Sequence, residues 1–79
     1  LRHLKEIFVE FETFTENRQM ALVDMIFNLG RAGFEKFEKT IGFIRIGNWK
    51  RASLEALDSK WMIQVGVRAQ ELAWMIETG

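Results

Sequence analysis

Two side chains break the most apolar run of this 79-residue chain, MALVDMIFNLG at positions 20–30, and they are its first candidates for chemistry. Asp24 and Asn28 lie four apart, so on a helix they share one face. They read either as a narrow polar seam on that helix or as the floor of a groove into which the seam opens. The remaining inventory is thin. His3 is the single histidine; it lies near the N-terminus with no partner at metal spacing and reads as a solvated surface residue. One such histidine cannot complete a Ser-His-Asp set. The chain has no cysteine, which removes disulfides and thiolate metal sites and leaves the redox compartment unassigned. No glycine-rich phosphate loop is present. Two of the eleven acidic residues could form the carboxyl pair of a glycosidase. Most of them, however, stand one or two positions from a basic residue on helix faces that read as solvated.

Composition narrows the function classes further. Eleven basic and eleven acidic residues cancel, which argues against a nucleic-acid partner, because phosphate binding calls for a basic excess or stripe. A helix-turn-helix reading, suggested by short helices around glycines, fails on the same ground. No apolar run approaches the roughly 18 residues of a membrane span, and no signal peptide is evident. Nothing calls for a metal or a cofactor. A chain of this length buries roughly 60–65% of its unfolded surface, enough for one domain with one modest core. It begins at Leu1 rather than Met, which suggests a fragment or a processed form.

Hydrophobic spacing supplies the elements. Leu1, Leu4, Ile7, Phe8 and Phe11 recur at helical intervals, predicting an amphipathic helix of about ten residues. Thr15 is a cap candidate for the central helix, and Thr13 with Glu16 competes as a capping box. The 20–30 run is apolar nearly all round, which predicts a buried post for the other elements, with Leu22 in the core. Gly30 suits the left-handed residue that closes a helix. RAGFEKF then gives a short turn and helix ending in Phe34 and Phe37. EKTIGFIRIG places Ile41, Ile44 and Phe43 on one side, and Gly47 ends it. Asn48 caps WKRASLEAL, with Trp49, Ala52, Leu54 and Leu57 expected inward. A short turn over KWMIQ follows. A last helix at about 66–77 carries Val67, Leu72, Met75 and Ile76. Nothing alternates with period two. The expectation is an all-α, compact single domain of six or seven short helices around a buried central helix, covering residues 1–79.

Three segments taken together resemble the C-terminal helical lobe of the bacteriophage-type lysozymes, the muramidases that cut peptidoglycan. ALVDMIFNLG is similar to that family's core helix, A-L-x-x-M-x-F-x-x-G. FEKTIGFIRIGNW, positions 37–49, matches its aromatic-to-Trp segment. SKWMIQVGVRAQEL, positions 59–72, matches its S-R-W-x-x-Q-T-P-x-R-A run. The three keep order and spacing from about position 14 to 79 without a gap. The family's Thr-Pro is Val65-Gly66 here, so a cap oxygen and a preset φ are lost and the last helix should fray more at its start.

The resemblance implies a substrate-binding lobe without its catalytic one, since the family's catalytic Glu and the residues that assist it lie in an N-terminal lobe with no counterpart here. It implies a peptidoglycan glycan strand and that missing lobe as partners, and the host cytoplasm, before release to the cell wall, as the location. It also implies substrate contacts at Phe27, at Thr40 where the family has Ser, at Glu55 where it has Asn, and at Gln64 and Arg68, with Arg68 facing the catalytic carboxylate across the cleft. No catalytic residue is assigned to this chain, and alone it is expected to be inactive. Phe27 and Trp61 also fit a plain core role, and Thr40 fits a cap or surface role. The alternative function is an inactive helical scaffold or a self-associating interaction module. Val67 and Trp74 lie seven apart on one helical face, with Ile63 and Val65 just before them. If exposed, they form an apolar patch through which a homo-oligomer would bury Trp74.

Overall fold

The computed structural model describes residues 2–58 and 66–79, and every regular element in them is helical. Helix α1 (Arg2–Ile7) is shorter than its amphipathic pattern predicts and gives way to a 3-10 turn at Phe11–Thr13. The buried face nevertheless runs on through both, with Leu4, Ile7, Phe8 and Phe11 all enclosed. Arg45 closes the end of α1 by donating from Nε and Nη2 to the Ile7 carbonyl at 3.2 and 2.9 Å. Thr13 donates its hydroxyl to the Glu10 carbonyl at 2.6 Å, so it is not the cap of the next helix. Thr15 is that cap, its Oγ1 accepting the Arg18 backbone N–H at 3.2 Å.

Helix α2 (Glu16–Glu35) corrects two expectations. Gly30 does not close it. At φ 74°, ψ 165° it kinks the backbone, and the chain re-enters helix at once. That conformation is open essentially to glycine alone, so a single residue makes the bend and no loop intervenes. RAGFEKF is thus the far arm of α2, ending with Phe34 buried and stacked on Phe37, ring centroids 6.5 Å apart. Nor is the 20–30 stretch buried all round. Ala21, Leu22 and Met25 are enclosed, whereas Met20 and Phe27 are 56% and 86% exposed. One flank of the helix is packed and the opposite flank is open.

Helix α3 (Glu38–Arg45) and helix α4 (Trp49–Leu57) meet at a corner set by two residues. Gly47, at φ 78°, donates its N–H to the Ile44 carbonyl, and Asn48 donates its own to Phe43 at 2.8 Å, the hydrogen-bond pattern of a Schellman ending. The Asn48 side chain then accepts the Arg51 N–H at 3.2 Å and caps α4. Helix α5 (Val67–Thr78) starts at Gly66 with no side-chain cap, as the loss of the Thr-Pro pair implied.

Helix α5 packs on both α4 and α2, and α3 packs on α4. The residues that let α4 and α5 approach are small: Ala52 and Ala56 on one, Ala69 and Ala73 on the other, all buried. Leu54, expected inward, is outside, and Val67 is exposed beside Trp74. The fold is all-α as expected. Among the described residues it has five α-helices, not six or seven. Two expected helices run on through Gly30, and the expected turn over KWMIQ lies outside the described residues.

Candidate functional site

The open flank of α2 and one side of α5 enclose a groove of about 500 Å³. From α2 come Glu16, Gln19, Met20, Val23, Asp24 and Phe27, and from α5 come Arg68, Leu72 and Met75. These recur every three or four positions, so each helix offers one continuous stripe. The walls are mostly apolar, and polar groups gather at one place. There Arg68 Nη2 donates to Asp24 Oδ2 across the groove, and Arg68 Nη1 donates to Glu71 Oε2 at 3.1 Å. Asn28 Nδ2 donates to Asp24 Oδ1 at 2.6 Å, one turn further along α2. For the Arg68 guanidinium, the hydrogen bond to Asp24 first, and that to Glu71 next, raise the pKa above its already high value. Its side chain is half exposed, so the pairs set geometry more than they add stability.

Of the side chains singled out by the sequence, Phe27 and Arg68 both line this groove. Thr40 is buried in α3 and Glu55 lies on α4, paired with Arg51 at 3.7 Å; neither lines it. Gln64 lies outside the described residues, as do Trp61, Ile63 and Val65. Asp24 and Asn28 were legible as a seam by their i, i+4 spacing; Asp24 lines the groove, and Asn28, one turn on, holds it from outside the lining. Its aliphatic lining was not foreseen, because Met20 and Val23 read as core of a helix taken to be buried. His3 is exposed; Arg31 Nη1 lies 2.7 Å from its Nδ1, and Glu6 is 3.8 Å away. Among the described residues no cluster of metal-ligating side chains occurs, and no helix is long and apolar enough to cross a membrane.

Two curated proteins align with the chain over 69 residues, 87% of its length. One, named "Probable T4-type lysozyme 2", is from Dictyostelium discoideum and is 32% identical. Over most of its own length the chain is similar to a lysozyme. The other protein, the pre-baseplate central spike protein Gp5 of Enterobacteria phage T4, is 33% identical to the chain. The chain spans 41% of the first protein's length and 12% of the second's. No family model matches it, and no solved structure does.

Proposed function

We propose that this lobe is the substrate-binding part of a phage-type lysozyme, with the groove between α2 and α5 contributing to the wall that holds a peptidoglycan glycan strand. The observation that carries the reading is the placement of Phe27 and Arg68. An aromatic ring that is 86% exposed on the open flank of α2 stands in one groove with a guanidinium held by carboxylates. An exposed ring beside fixed polar groups is a fit surface for a sugar, which presents apolar C–H faces and hydroxyl edges. The relative named a T4-type lysozyme supports the substrate class.

Hydrolysis is assigned to a second lobe. Glycoside cleavage needs two positioned carboxyl groups, and both oxygens of Asp24 are engaged, by Asn28 and by Arg68. The isolated chain is therefore expected to sediment with purified sacculi and to release no reducing sugar from them. Turnover well above a blank would overturn the second half of this reading. Failure to sediment, or sedimentation undiminished in Phe27→Ala, would overturn the first.

One observation favours a second role. Val67 and Trp74 are 69% and 66% exposed and, with Met75, line a shallow apolar hollow on α5. That face fits the self-associating module named above, whose test is the oligomeric state.

A further inference from the structure

We infer that Asp24 is the positioning residue of this site: oriented by Asn28, it fixes the Arg68 guanidinium over the groove, and that fixation governs how tightly the groove holds a glycan. The inference rests on the proposed function. Arg68 is the second residue of α5, in a first turn that has no side-chain cap. Its side chain is long and half exposed, so without anchors it would range through solvent. Two anchors hold it, and they differ in kind. Glu71 lies one turn along the same helix and is itself exposed, so it moves with α5. Asp24 belongs to α2, is three-quarters enclosed, and reaches across the groove from the other wall. Only the second contact ties the guanidinium to the helix that carries Phe27.

Asp24 is in turn restrained. It has only two side-chain torsions, and Asn28 donates to its Oδ1, which leaves Oδ2 for Arg68. Asp24 and Phe27 are three apart on α2, so carboxylate and ring share one stripe. The chain Asn28–Asp24–Arg68 thus sets the spacing between a cationic donor and an aromatic face. A binding site depends on such spacing to a fraction of an ångström. Because the ion pair is exposed to solvent, losing it should leave the fold in place.

The test uses the 79-residue chain, soluble glycan strands from peptidoglycan as the probe, and Asp24→Asn, Asp24→Glu and Arg68→Lys. Arg68→Ala assigns the Arg68 signals. In the wild type, the guanidinium ¹H–¹⁵N signals of Arg68 should show slowed rotation at Nη, the mark of a held fork. In Asp24→Asn that slowing should vanish, and glycan affinity should fall about tenfold, the scale of one well-placed hydrogen bond. Asp24→Glu should recover part of both, and Arg68→Lys should lose affinity as Asp24→Asn does. Circular dichroism and melting should be unchanged throughout. An Asp24→Asn protein with wild-type affinity overturns the inference, as does one whose Arg68 signals are unaltered. A wild type that binds no glycan removes the proposed function instead, and the guanidinium spectrum then still decides whether Asp24 holds Arg68.

Discussion

Leu22 and Phe27 stand five positions apart on one helix and meet opposite fates. Leu22 has no exposed surface, so truncating it leaves a cavity that its neighbours only partly refill. Leu22→Ala should cost roughly 2–5 kcal/mol, a range borrowed from a Leu→Ala series in a related phage lysozyme. That is enough to unfold much of a domain this small. Urea or thermal denaturation checks it, and unchanged melting would contradict it. Phe27 has the larger ring and most of it in water, so Phe27→Ala should shift stability by no more than about 0.5 kcal/mol. The pair separates the residue that holds the fold from the one offered to a ligand. The sequence named both, one as core and one as either core or contact; type alone does not rank them, because side-chain size says nothing about which flank of a helix is covered.

At the scale of elements, two features join what the chain separates. The first is the bend at Gly30. A Cβ there would meet nothing within 4 Å, so the cost of a substitution is the backbone conformation itself. Gly30→Ala should lose about 1–3 kcal/mol, read as a lower melting temperature. A variant that melts at or above the wild-type temperature would mean that α2 tolerates straightening. The second is Arg18, at the start of α2. It donates from Nε to the Ile76 carbonyl at 2.7 Å and from Nη2 to the Glu77 carbonyl at 2.9 Å, while its guanidinium lies 4.1 Å over the Trp49 ring. Partial burial lowers its pKa from the ordinary value. The side chain supplies donors to carbonyls that the end of α5 leaves unpaired. Arg18→Ala should cost about 1–2 kcal/mol, the lower part of the range for charged hydrogen bonds because the site is partly solvated. Amide exchange in the last turn of α5 should quicken. The acceptors are neutral carbonyls, so the loss should vary little with salt; a strong salt dependence would instead indicate ion pairing.

The whole molecule has a Cα radius of gyration of 11.0 Å, close to the roughly 11.6 Å expected of a compact chain of this length. The chain therefore closes on its own core while leaving apolar surface on α2 and α5. On the face of Val67 and Trp74, a second copy is the partner that a neutral chain does not repel. A two-fold contact would let one patch serve both subunits. Wild-type protein should sediment as a dimer or larger species at high concentration, and Trp74→Ser should shift it toward monomer. A strictly monomeric wild type in analytical ultracentrifugation would refute this.

What the sequence determined by itself is whatever a few neighbouring residues decide. Thr15 and Asn48 cap because their oxygens reach an N–H three positions on. Gly47 turns the corner because it tolerates positive φ, and the buried stripe of α1 follows from spacing alone. The all-α class and the family resemblance belong to the same level, since both are carried by local pattern in order along the chain. Tertiary structure decided the rest. Whether Gly30 ends a helix or bends it depends on where the next arm packs. Alanines rather than Leu54 and Val67 face inward because α4 and α5 lie close together. The groove exists because α5 covers only one flank of α2, and its polar centre joins Asp24 to Arg68 across 44 positions. No local rule reaches that far, because such a contact depends on the path of the whole chain between its ends.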